Sequence, residues 1–211
     1  MRDPAELVEM NRFVGREFLL WLWFESELYE TNLKPTQGDA CALWLENHIT
    51  LANEAEEARI KSSTPGTAPE AKQALRQGKL PRDTRLKMVL NELEFGWTMK
   101  ADDLAIAALK VPSELKADDN AAAGGQKPSA ALRAANNDEA LYERMRLVEI
   151  LEKQLEALFT DFLSVRLHEV WEGTVVPEMR RWARGKSVDE KAYASAKRRA
   201  IPPGGRRMPK P

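Results

Sequence analysis

The sequence predicts an α+β protein: a mostly antiparallel sheet of about five strands, a buried N-terminal helix, a short crossing helix and a long C-terminal helix. Three observations predict it. An unbroken apolar run fills residues 18–24, enough to circle a helix completely, so that helix is buried on most sides. Short apolar or alternating runs separated by turn residues occupy 42–99, with connections too short for parallel crossovers. Finally, Leu141, Met145, Val148, Leu151, Leu155, Leu158, Phe162 and Val165 recur every three or four residues, which makes one apolar stripe on a long helix.

The first helix starts with Asp3 as cap, Pro4 in the first turn and Glu6 three residues after the cap, the usual signals of an N-terminus. Gly15 lies within it at a cost of about 1 kcal/mol relative to Ala; it either admits another backbone closely or marks a break. Asn32, Pro35 and Gly38 make residues 31–39 a loop. Ala42-Leu43-Trp44-Leu45 and His48-Ile49-Thr50-Leu51 flank Glu46-Asn47, the pattern of a hairpin. Glu57-Ala58-Arg59-Ile60-Lys61 reads as the third strand, and Pro65 and Gly66 as a turn. Residues 68–76 form the short helix, closed by Gly78 as its C-terminal cap. Leu86-Lys87-Met88-Val89-Leu90 and Phe95-Gly96-Trp97-Thr98-Met99 are two more strands, joined around Asn91-Glu92.

Residues 112–137 offer little to bury and read as a flexible linker. The striped helix covers roughly residues 137–170, supported by Glu149 and Lys153 one turn apart. Gly173 and Pro177 interrupt, and a short helix follows at 178–184. From Gly185 onward little is apolar, which predicts a disordered tail. The expected organisation is therefore helix plus sheet over 1–111, linker over 112–137, helical segment over 138–184 and basic tail over 185–211.

Apolar residues make up 43% of the 211 and charged residues 31%, so a solvated domain with a real core is expected. The single cysteine, Cys41, forms no internal disulfide, and a reducing cytoplasm is the expected compartment. The longest apolar run has seven residues where a spanning helix needs roughly 20, so neither a membrane span nor an export signal is expected.

Net charge is −1, but residues 180–211 hold eleven Lys or Arg against two Asp or Glu, a net of +9 that leaves −10 on the remainder. Guanidinium and ammonium groups displace counterions from a phosphate backbone and give affinity without reading bases. Arg180, Arg181, Arg184, Lys197, Arg198, Arg199, Arg206 and Arg207 are the candidate DNA contacts in this stretch. A solubilising tail, or one folded against the acidic body, has the same composition.

Catalytic constellations are sparse. His48, His168 and Cys41 show no metal-ligand spacing, and Gly124-Gly125 lacks the Lys-Ser or Lys-Thr of a phosphate loop. Glu17, Glu25 and Glu27 lie on or near the first helix; a nuclease-like metal site could be built from them, but the favoured reading has them line the helix's polar edge or pair with basic residues elsewhere. No catalytic residue, metal or cofactor is assigned. Most tryptophans sit in apolar runs and belong to the core. Trp182, among Arg180, Arg181 and Arg184, suits both a nucleic-acid strand and a helix end with one buried ring.

The strand Glu57-Ala58-Arg59-Ile60-Lys61, the helix at 68–76 ended by Gly78-Lys79, the strand pair at 85–90 and 94–100 and the long closing helix together resemble the C-terminal part of the recombination-associated RdgC family. Gly15-Arg16-Glu17-Phe18-Leu19-Leu20-Trp21-Leu22-Trp23 is also similar to a segment of divergent members. The resemblance covers about two thirds of the chain. It implies a non-enzymatic, sequence-independent binder of double-stranded DNA that forms ring-like dimers and restrains strand exchange. It also places basic strand and turn positions at Lys79, Arg82, Arg85 and Lys87. The family's N-terminal portion has no evident counterpart here, which points either to a split companion that needs a separate N-terminal partner chain or to a relative that has lost the ring and the activity; a homodimer is the other partner expected.

The leading expectation is thus a DNA-binding accessory protein of recombination, cytoplasmic and nucleoid-associated. The alternative is a protein–protein interaction module that uses the long helix. A metal-dependent enzyme built on Glu17 and Glu25 ranks third.

Overall fold

The computed structural model describes residues 4–29, 32–112 and 130–201, with backbone alone at 4–13 and 130–137. Asp3, Arg206, Arg207 and residues 113–129 lie outside the described residues.

Helix α1 spans Pro4–Tyr29. Phe18, Leu19, Trp21, Leu22, Trp23 and Phe24 are all buried. Seven consecutive apolar residues turn through more than a full circle at 100° each, so every side of this helix must meet other apolar groups. The sheet covers one side, through β1 and β3, and the later helices cover the rest. α1 is unbroken at Gly15: a Cβ there would stand 1.8 Å from the carbonyl oxygen of Ala101, so this glycine admits a neighbouring backbone.

Five antiparallel strands form one sheet in the order β2-β1-β3-β4-β5. They are β1 Cys41–Ala52, β2 Glu57–Lys61, β3 Leu80–Leu90, β4 Leu93–Lys100 and β5 Ile106–Lys110. The strand number matches expectation but the membership does not. The hairpin expected at Glu46-Asn47 is a bulge within the single strand β1. Leu45 pairs with Leu86 and Ile49 with Thr84, so three residues of β1 oppose one of β3. The two extra residues preserve the side-chain alternation, which keeps Leu45 and Ile49 both in the core. Asn47 takes φ 64°, which asparagine tolerates, and its carbonyl accepts the Ser62 N–H. The chain reverses later, where the Asn53 side chain accepts the N–H groups of Ala55 and Glu56. Asn91 and Glu92 both have positive φ and form the expected two-residue hairpin loop, whose twist matches the flanking strands. β5 was not expected.

Helix α2 spans Pro69–Arg76. Gly78, at φ 79°, donates to the Leu75 carbonyl and Lys79 donates to that of Ala74, so the helix ends in a Schellman motif. Helix α3 spans Ala130–Arg166, so the expected linker is already helical from residue 130. Leu151, Leu155, Leu158, Phe162 and Val165 are buried as the stripe predicts. Leu141, Met145 and Val148 are exposed, and Leu147 is buried in their place.

A π-helical turn, Trp171–Val175, leads into α4, Val176–Ala183. Gly173 lies in the π turn and Pro177 in the first turn of α4, where its missing N–H matters least. The tail expected to be disordered contains a further helix, α5, Glu190–Ala200. Its cap is Asp189, whose Oδ1 accepts the Ala192 N–H at 3.0 Å. Tyr193, Ala196 and Ala200, spaced three and four apart, are buried. One cluster of apolar residues joins sheet, α1, α3, α4 and α5, so the segments on either side of residues 112–137 share a core.

Candidate functional site

The basic residues separate into two groups by what holds them. On the sheet side, Lys79 is buried, with Nζ 2.8 Å from Glu56 Oε2. Arg82 Nη1 is 2.6 Å from Glu57 Oε2. Lys87 lies 2.8 Å from Glu94 and 5.5 Å from the centre of the Trp44 ring, its cross-strand neighbour. Arg85 donates to the Ala108 carbonyl at 2.6 Å. The four basic positions taken from the family resemblance are therefore engaged within the chain, three of them by carboxylates, and do not form an open cationic face.

The C-terminal group is different. Residues 176–201 hold eight Lys or Arg against three Asp or Glu. Two of the eight turn to the chain itself. Arg181 donates to the Ser187 carbonyl and sits 3.7 Å from Glu178, and Lys197 points into the core. Arg180, Arg184, Lys186, Lys191, Arg198 and Arg199 are exposed, and none makes an ion pair among the described residues. Of the three acids, Glu178 is buried and accepts the Asp189 N–H at 2.8 Å, and Asp189 caps α5. Burial of Tyr193, Ala196 and Ala200 turns Lys191, Ser195, Arg198 and Arg199 outward.

Helix electrostatics explain part of this. Arg180 and Arg181 end α4, while Lys197, Arg198 and Arg199 end α5, where a cation gains roughly 0.3–1 kcal/mol from the helix dipole. That gain is absent for Lys186, between the helices, and Lys191 stands in the first turn of α5, where the dipole opposes it.

Polar groups inside the core mount this face. Glu25 of α1 is fully buried. The Tyr193 hydroxyl donates to its Oε1, Lys197 Nζ donates to its Oε2 at 2.7 Å, and Trp21 Nε1 donates to the Tyr193 oxygen at 3.0 Å. Burial, then the Glu25 charge, holds the Tyr193 phenol protonated far above the usual range. α4 is tied similarly. The Glu27 carboxylate accepts from Trp23 Nε1 at 2.6 Å, Trp182 Nε1 at 2.7 Å and Lys72 Nζ at 2.8 Å. Lys72 also lies 3.1 Å above the Trp182 ring centre, and burial lowers its pKa to about 8 against the opposing effect of Glu27. Trp182 is thus a packed ring, set edge-on to Trp23 and Phe24, and presents no free platform for a base.

The acids weighed as metal ligands have donors of their own. Glu17 accepts from Arg166 Nε at 2.6 Å, and Glu25 and Glu27 are engaged as above. Among the described residues, no group of three or more His, Cys, Asp or Glu converges. His48 Nε2 lies 3.4 Å from Asp83, and burial lowers its pKa against the pull of that carboxylate. His168 Nδ1 accepts the Val170 N–H. Cys41 is buried between the Leu33 carbonyl and Gln154, and burial raises its thiol pKa.

Sequence reasoning missed α5, the element that carries Lys191, Arg198 and Arg199, three of the six open cations. Its signal was the Asp189 cap with the 193, 196, 200 spacing, in which only Tyr193 is a large residue. Among the described residues, no helix is long and apolar enough to cross a membrane. No protein-family model matches the chain, and no curated protein matches it at a significant level.

Proposed function

We propose that this chain is a non-enzymatic protein that binds double-stranded DNA through its phosphates without reading sequence, an accessory factor of recombination of the kind the RdgC resemblance implies. The observation that carries the reading is the set of six exposed cations on α4, α5 and the segment between them that have no ion-pair partner among the described residues. A nucleoid-associated cytoplasmic location goes with it.

The test is anisotropy of a labelled random-sequence duplex between 50 and 200 mM salt. If all six cations neutralise phosphates, the logarithm of affinity falls with the logarithm of salt with a slope of about −5, a loss of roughly 10³-fold over that range. Replacing Arg184, Lys191, Arg198 and Arg199 by Gln lowers the slope by about 3.6. Binding that ignores salt, or an unchanged slope in the variant, defeats the proposal.

A second reading rests on α3. Leu141, Tyr142, Met145 and Val148 are 56%, 71%, 53% and 38% exposed, an apolar patch of the type that marks contact with another protein. Light scattering discriminates: a dimer that Met145→Glu dissociates favours this interaction module, and a monomer at all concentrations disfavours self-association.

A further inference from the structure

A cleft of about 250 Å³ opens where the end of α1, the loop after it, α3 and α5 meet. Its polar lining is Tyr29, Lys34, Thr36, Asp161, Lys197 and Arg198. Three of these offer donors without partners among the described residues: the Lys34 ammonium, the Arg198 guanidinium and the Tyr29 hydroxyl. Lys197 Nζ, fixed by Glu25, stands 5.5 Å from the Tyr29 ring centre. Burial, then the Glu25 and Glu190 charges, push the Tyr29 phenol up to about 12 against the opposing effect of Arg198, so it remains a donor at neutral pH.

The one carboxylate in the wall is turned away from this role. Asp161 is buried, and its Oδ2 accepts both the Thr36 N–H at 2.9 Å and the Thr36 hydroxyl at 3.2 Å. It shapes the loop and leaves two cations, Lys34 and Arg198, without carboxylate partners among the described residues at the space, while the Lys197 ammonium is turned to Glu25. The cleft is smaller than the roughly 300–1,000 Å³ usual for organic ligands, which suits one oxyanion better than a whole cofactor. Arginine and hydroxyl donors around a tetrahedral oxyanion form short, charge-assisted bonds.

We propose that this cleft is a phosphate-monoester site, with Lys34 and Arg198 as charge partners and the Tyr29 hydroxyl as a further donor. The inference does not rest on duplex binding, since it needs a single phosphate group, free or at a strand end. Arg198 alone is common to both proposals.

The first experiment compares thermal melts in sodium phosphate and in sodium chloride of equal ionic strength. Phosphate at about ten times its Kd raises Tm by roughly 3–6 °C for a chain of this size. The Lys34→Gln/Arg198→Gln variant keeps its Tm in chloride and loses the increment, and Tyr29→Phe loses part of it. Equal melting of the wild type in both salts, or an undiminished increment in the double variant, overturns the site. Once the shift is measured, a 5′-phosphorylated duplex that binds more tightly than its unphosphorylated twin assigns the site to strand ends; equal binding assigns it to small phosphates. The Lys191→Gln/Arg199→Gln variant separates the two proposals, because it tests the duplex face while the phosphate shift stays intact.

Discussion

Replacing Lys197 by Met tests how α5 is held. Lys197 is the cation on a carboxylate with no solvent exposure, and its own side chain is only 17% exposed. Met preserves most of the aliphatic stem, which lies near the Trp21 and Tyr29 rings, so packing changes little and the charge pair is lost. Removing one partner of a buried pair costs about 3–5 kcal/mol, because the other charge stays uncompensated. The Tyr193 hydroxyl still donates to Glu25, so the lower end applies, about 3 kcal/mol, or a fall in Tm of roughly 6–12 °C. Adding Glu25→Gln removes the orphaned charge, so the double variant is more stable than the sum of the single effects predicts. Urea unfolding followed by tryptophan fluorescence gives the energies. Limited proteolysis shows α5 released before the sheet. A Lys197→Met chain within about 1 kcal/mol of wild type, with the same proteolytic pattern, refutes the reasoning and reduces the network to a surface contact.

Two other perturbations have definite signs. Lys72 has its pKa depressed from 10.5 to about 8 in the fold. The unfolded chain therefore keeps a proton that the folded chain has released between those values, and stability rises with pH across that window. This contribution is complete above pH 10.5 and lost as pH falls through 8; two and a half units correspond to about 3 kcal/mol at most. Tyr29, raised from 10.0 to about 12, and Tyr193, held well above 10.0, act in reverse: the unfolded chain loses these protons first, so stability falls above pH 10. Urea titrations from pH 7 to 11 on wild type and Lys72→Met separate the two, since only the rise disappears in the variant. Gly15→Ala gains about 1 kcal/mol in helix propensity, but its Cβ meets the Ala101 carbonyl oxygen at 1.8 Å. Overpacking of this kind costs about 1–3 kcal/mol, so a net loss is expected in urea unfolding, and a stabilised Gly15→Ala would mean α1 shifts freely from the turn that follows β4 at Ala101.

The parts of the fold that sequence made legible are those decided locally. The 18–24 run, the buried half of the α3 stripe and the Asn91-Glu92 loop each follow from neighbours within a few residues. Glu46-Asn47 was misread because a polar pair with an asparagine serves a hairpin or a bulge equally; the choice is made by pairing with Leu86 and Thr84 some forty residues away. β5 is short and contains Ala108 at positive φ, which leaves little strand pattern to find. α5 escaped because its buried face is one tyrosine and two alanines, too little apolar area to register in a composition count. At the site, sequence found the cations but not their partners. Lys79 with Glu56 and Lys197 with Glu25 are tertiary pairs, and pairing decides which cations remain open.

The placement of these cations also changes what truncation can report. Ending the chain at Arg184 would remove Tyr193, Ala196 and Ala200 from the core and Lys197 from Glu25. Lost DNA binding in that variant would follow from lost structure as readily as from lost charge. Ending at Ile201 removes Arg206, Arg207 and Lys210 while keeping every described buried contact of α5. If the helical face carries the phosphates, the salt slope of this shorter chain stays within about one unit of the full chain. A drop of about 2.7 would instead place three contacts beyond Ile201. A face held by a buried carboxylate loses little conformational freedom on binding, so neutralising Lys191, Arg198 and Arg199 costs affinity through charge alone. That loss diminishes as salt rises, whereas a loss caused by unfolding persists at every salt concentration.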